Sequence, residues 1–185
     1  MRGRSLRHAG AFDHDAEKGN MTALATGTTA PEFDLQTLDG KRFSLREELA
    51  RGPVVLAFFK VSCPTCQYAL PFLERLHKTY ADKGVKLVGI SQNDAKETAA
   101  FNRQFGVTFP VLLDDLDRYP VSNAYGLTNV PSIFWIAQDG EIEVTSVGWV
   151  KADFDEINRK MAGNGKAAPA VIFKPGDDVR DFRAG

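Results

Sequence analysis

Two cysteines stand three apart, Cys63 and Cys66, and no other cysteine occurs among the 185 residues. That spacing lets the two sulfurs meet with little backbone movement. The pair follows the apolar run 53–59 and precedes a segment of helical periodicity, so it falls at a strand-to-helix junction. A thiolate at Cys63 would face unpaired backbone N–H groups and the positive end of a helix. Pro64 suits the first helical position, where its missing N–H is no loss. The chemistry this arrangement serves is thiol–disulfide exchange. Cys63 attacks a substrate disulfide, and Cys66, tucked behind it, then attacks Cys63 and releases the reduced substrate. Run backwards, the same pair oxidises a substrate dithiol.

Other chemistries compete poorly for the pair. A zinc site needs two further Cys or His ligands, and the only histidines are His8, His14 and His77. An inert core pair belongs on a buried face rather than at a helix start. The acidic cluster Asp114, Asp115 and Asp117 lacks a coordinating loop pattern around it and reads as a solvated turn. No glycine-rich phosphate loop or nucleotide fingerprint is present. No metal and no bound cofactor are therefore expected, beyond a redox-active Cys63–Cys66 disulfide. Electrons are expected from a thiol reductase or a small thiol.

The elements that must position the cysteines are legible from pattern. Phe33–Leu35 and Phe43–Leu45 flank Asp39-Gly40, a hairpin turn signal. Buried-type strands read at 53–59 and 85–91, and a third, short and proline-led, at 109–114. Helices read at 64–82, with Pro71 inside it and a kink expected there, and at 95–105, with Asn93 or Asp94 as cap and Gly106 closing it. Residues 115–127 read as a short helix broken by Pro120. Strands at 132–137 and 141–149 surround Asp139-Gly140, and a last helix spans 151–163. Pro131 cannot donate to a ladder, so it marks the start of its strand. A cis Val130–Pro131 bond would set the Val130 backbone beside Cys63, ready to pair with an extended substrate. The order predicts an α/β fold: a mixed central sheet with helices on both faces and an N-terminal β-hairpin.

Composition narrows the partners. There are 23 basic and 24 acidic residues, a net charge of −1, so no general pull toward nucleic acid or anionic membrane is expected. No apolar run approaches the ~18 residues of a membrane span. Residues 1–29 read as a leader without a secretory core, which points to a cytoplasmic protein. Residues 30–162 read as one domain, and 163–185 as an extended tail, within which Val171-Ile172-Phe173 could pack back.

Taken together, these motifs resemble the thioredoxin superfamily, and within it the TlpA/ResA-like thiol-disulfide oxidoreductases grouped with the AhpC/TSA domains. The likeness rests on Ala30-Pro31-Glu32-Phe33-Asp34-Leu35, Asp39-Gly40-Lys41, the Cys63–Pro71 block and Tyr125-Gly126-Leu127 with Val130-Pro131-Ser132. It implies a thioredoxin-like fold, a cis Val130–Pro131 bond and reduction or exchange of protein disulfides. It makes Cys63 and Cys66 catalytic, with Ser62, Pro64, Thr65, Val130 and Pro131 shaping the groove or tuning the pair. Departures from the family stand at Ser62, where relatives carry Trp, and at Ala57 and Ala69, where an acid that helps deprotonate the second cysteine would stand. Cys63-Pro64-Thr65 also resembles peroxiredoxins, making a thiol-dependent peroxidase the alternative. Their Pro-x-x-x-Thr-x-x-Cys signature fails, however: Lys60 and Leu56 precede Cys63 at those positions, and Cys63 and Phe59 precede Cys66. A third reading is a non-enzymatic thioredoxin-like module that binds partners beside Val130.

Overall fold

The computed structural model describes residues 22–185. Its centre is a five-stranded sheet in the order β5-β4-β3-β6-β7. These strands are β3 (Val54–Phe59), β4 (Lys86–Ser91), β5 (Val111–Leu113), β6 (Ser132–Ile136) and β7 (Ile142–Val147). β3, β4 and β5 run parallel, while β6 and β7 continue the sheet antiparallel. All six residues of β3 are buried, as expected of a central strand covered on both faces. Its side chains alternate between two cores. Val55, Ala57 and Phe59 join one with α2 (Pro64–Tyr80), Phe101 of α3 (Ala95–Phe105) and α5 (Lys151–Asn164). Val54, Leu56 and Phe58 join the other with α1 (Leu45–Leu49) and α4 (Pro120–Ala124). A separate hairpin, β1 (Asp34–Gln36) with β2 (Arg42–Ser44), pairs as the Asp39-Gly40 turn predicts. The mixed α/β architecture with helices on both faces is as read from the sequence.

Several local expectations are corrected. α1 is not anticipated; it is five residues long and has no side-chain cap. Pro120 opens α4 instead of breaking a helix, taking the first-turn position that needs no N–H. Asp114 is not part of a solvated turn. It is 3% exposed, and its carboxylate accepts from the Ser122 N–H and hydroxyl, at 2.8 and 2.7 Å, and from the Val121 N–H at 3.3 Å. It caps α4 from the end of β5. Asp114→Ala would strand those donors and is expected to cost about 1–3 kcal/mol in chemical denaturation. The expected strand 141–149 divides at Gly148 (φ +73). Beyond it β8 (Trp149–Val150) leaves the central sheet and pairs with β9 (Phe182–Arg183). The helix at 64–82 runs through Pro71 as one element ending at Tyr80. Asp94 is the cap of α3, accepting from the Glu97 N–H at 2.7 Å, and Gly106 closes it in the left-handed region.

The flanking segments also pack. The expected leader falls outside the described residues over 1–21. Residues 22–29, expected to share that leader, instead bond to the domain: Leu24 N–H to Tyr125 O at 3.1 Å and Gly27 N–H to Ile142 O at 2.8 Å. Residues 166–185 cross α2 as a strap. Ile172 is buried in the core, Arg75 forms a paired ion bridge to Asp177, and the Trp149 indole donates to Arg180 O. The Tyr68 hydroxyl donates to Asp178 O and accepts from the Arg180 N–H. Among the described residues, no helix is long and apolar enough to cross a membrane.

Candidate active site

β3 delivers the chain to a short turn, Lys60–Ser62, from which α2 starts. Cys63 is the residue before the helix and has extended backbone. Its sulfur accepts the Cys66 N–H at 3.1 Å, the role a Ser or Asp oxygen takes at an ordinary helix start. Charge developing on this sulfur therefore meets a backbone donor and the positive helix end. Two further bonds fix the turn: Gln67 Nε2 to Val61 O at 2.8 Å, and the Val61 N–H to Asn93 Oδ1 at 3.0 Å.

The two thiols differ in access. Cys63 is half-buried and Cys66 is 1% exposed. A protein partner can therefore touch only Cys63. Burial pushes the Cys66 thiol well above its ordinary range, and its contact with Cys63 adds to the rise. Backbone N–H groups offset only part of this. Ala57 and Ala69, where relatives place an acid, are buried in the same apolar core as Cys66. Glu74 does not substitute for that acid. It lies eight residues along α2, about 12 Å by helical rise. Burial opposes its ionisation, but bonds from the Thr108 N–H and hydroxyl, with Lys78 beside them, outweigh that and hold its carboxyl below the usual range.

The Val130–Pro131 peptide is cis. The Cys63 thiol donates to Val130 O at 3.2 Å, so the fold brings Val130, and Pro131 after it, to the Cys63–Cys66 pair. No described backbone carbonyl accepts from the Val130 N–H. Ser62 and Pro64 are exposed beside the pair. Thr65 is placed differently: it is buried, and its hydroxyl donates to Ala184 O at 2.7 Å. It is thereby tied to the strap.

Cys63 opens into a cleft of about 510 Å³ lined by Lys60, Gln92, Tyr119, Asn123, Val130 and Gly185. Lys60 Nζ sits 5.6 Å from the centre of the Tyr119 ring. Tyr119 has a positive φ of 45°, a strained backbone for a non-glycine residue. Sequence reading missed Gln92, Tyr119 and Asn123 because they come from the end of β4 and the start of α4, which only the fold brings to Cys63. The nearest signal was Lys60, a lone charge at the end of a buried strand.

Comparison with known proteins agrees with this geometry. The AhpC/TSA family profile matches residues 26–145. Thiol-disulfide oxidoreductase ResA of Geobacillus thermodenitrificans is 33% identical over 128 residues, covering 69% of this chain and 72% of that protein. A thiol:disulfide interchange protein of the thioredoxin family from Chlorobium tepidum superposes with a TM-score of 0.62 at 29% identity, covering 75% of this chain and 99% of that one. A second protein from that organism, a thiol:disulfide interchange protein DsbE, shares the fold with a TM-score of 0.67 at 23% identity, covering 77% of this chain and 99% of that one. The chain belongs to the AhpC/TSA family and, within the thioredoxin superfamily, to its TlpA/ResA-like thiol-disulfide oxidoreductases.

Proposed function

We propose that this oxidoreductase reduces disulfides in protein substrates, with Cys63 as attacking thiol and Cys66 as resolving thiol. The observation that carries the assignment is their asymmetry: one sulfur is reachable at a helix start, and the other is buried one turn behind it. In the first step the Cys63 thiolate bonds to one substrate sulfur, the substrate S–S bond breaks, and the other substrate sulfur leaves as thiolate. In the second, the Cys66 thiolate bonds to Cys63, the mixed disulfide breaks, and the remaining substrate sulfur is released. Two electrons pass to the substrate, two protons follow from the enzyme thiols, and the enzyme is left as a Cys63–Cys66 disulfide. A thiol reductase or small thiol then returns two electrons and two protons. The Val130 N–H, which no described backbone carbonyl accepts, can donate to a substrate backbone carbonyl beside the reacting sulfur. Ser62 and Pro64 form the exposed lip of this groove.

With no carboxylate at Ala57 or Ala69, the Cys66 proton leaves to water or to the departing thiolate. The second step should then be slow at neutral pH and accelerate with alkalinity. Only the thiolate attacks, and Cys66 holds its proton above the ordinary thiol range. Release from a preformed mixed disulfide is expected to climb about tenfold per pH unit from pH 7 to 9, without levelling near the ordinary thiol value of about 8.5. Stopped-flow release of a chromophoric thiol measures this. A plateau below pH 8 contradicts it.

The function itself is tested by following insulin disulfide reduction with a dithiol donor, against a control without enzyme. Acceleration that saturates with insulin supports the assignment. A rate no greater than that of the donor alone refutes it.

A further inference from the structure

The strap does more than cover α2. Its segment Phe182–Gly185 runs along β8 and ends against the residue that an extended substrate would pair with. Trp149 pairs with Arg183 and Val150 with Phe182. Ala184 O then takes the Thr65 hydroxyl, one residue before Cys66. Gly185 lies so close to Val130 that a Cβ on it would stand 2.5 Å from Val130 O. This is the carbonyl that accepts the Cys63 thiol. Gly148 makes the same approach possible from the other side, since a Cβ there would stand 2.5 Å from Arg183 O.

We infer that segment 182–185 is a specificity-determining gate, which fills the lane along Val130 that an extended polypeptide needs while leaving Cys63 open through the Lys60–Tyr119 cleft. This rests on the proposed disulfide reduction at Cys63. Small disulfides reach the sulfur through the cleft with the strap in place, whereas a protein disulfide must displace 182–185 first.

The strap is built to part at that point. Residues 172–181 are held by Ile172 in the core, the Arg75–Asp177 bridge and bonds to Tyr68 and Trp149. Segment 182–185 is held by a two-residue ladder, the Thr65 bond and the Arg183 guanidinium 4.6 Å from the Tyr68 ring centre. Phe182 is 62% exposed and contributes no buried anchor. Lifting the segment leaves the anchored part undisturbed, and an occupied lane lowers apparent affinity by the fraction of molecules in which it is open.

The experiment compares insulin with bis(2-hydroxyethyl) disulfide as substrates for the full chain and two variants. Gly148→Ala pushes a Cβ into the strap backbone, and Arg183→Ala removes the half-buried cation–π contact with Tyr68. The insulin-to-small-disulfide ratio of kcat/KM is expected to rise about tenfold in Gly148→Ala and about threefold in Arg183→Ala. Turnover of the small disulfide is expected to stay within about twofold of the parent chain, since its cleft meets the strap only at Gly185 and is otherwise lined by the rest of the domain. A ratio unchanged or lowered in Arg183→Ala and in folded Gly148→Ala overturns the gate. Failure of the parent chain to reduce either substrate overturns disulfide reduction itself.

Discussion

Cys63→Ser is expected to abolish turnover of protein disulfides, by at least about a thousandfold, the order of loss when a covalent nucleophile is removed. The reason is specific to this position. Cys66 is buried at 1% exposure and is not presented to a partner, so no second sulfur takes over the attack. The substitution should be structurally mild. Serine is a favoured residue at a helix start and can accept the Cys66 N–H that the sulfur accepts now. Stability should therefore move by no more than about 1 kcal/mol. Loss of turnover with a retained denaturation midpoint separates chemistry from folding. Retained insulin reduction by this variant would remove Cys63 from the mechanism, whereas a parent chain without turnover whose partner binding survives Cys63→Ser would favour the binding-module reading.

Cys66→Ser is expected to give the opposite phenotype: capture without release. The first bond forms at Cys63, but no resolving thiol stands behind it. A one-to-one covalent adduct with a protein disulfide substrate should accumulate and be visible by intact mass and on a non-reducing gel. Adding a dithiol should release it. The new hydroxyl is buried among apolar groups around Ala69 and Phe59, so a loss of about 1–3 kcal/mol is expected as well. Adducts that fail to form, or multiple turnovers by this variant, would show that Cys66 does not resolve the intermediate.

The reacting centre was legible because its signals are local. Cys63-Pro64-Thr65-Cys66 lies in one stretch, an apolar run precedes it and a helical period follows it. Val130-Pro131 is remote in sequence, and the family resemblance linked it to the cysteines. The sheet strands were legible for the same reason, since runs such as Val54–Phe59 are buried on both faces. The misread parts depend on distant partners. Asp114 looks like one of several surface acids until Ser122 closes over it. The tie between the Thr65 hydroxyl and Ala184, far along the chain, likewise leaves no mark in the sequence. Gly148 is a single glycine in a strand pattern, and its role appears only when the strap passes against it. Residues 166–185 carry proline and acidic residues without periodicity, so their packing through Ile172 and Asp177 has no sequence signature beyond Val171-Ile172-Phe173.

A redox titration tests the central claim most directly. The purified chain is equilibrated in dithiol–disulfide buffers, quenched, alkylated and weighed. Cys63 and Cys66 are expected to lose reactivity together in one reversible transition, with a tenfold change in the oxidised-to-reduced ratio for about 30 mV, as a two-electron couple requires. Cysteines that titrate independently, or that form no intramolecular disulfide in any buffer, would contradict the account.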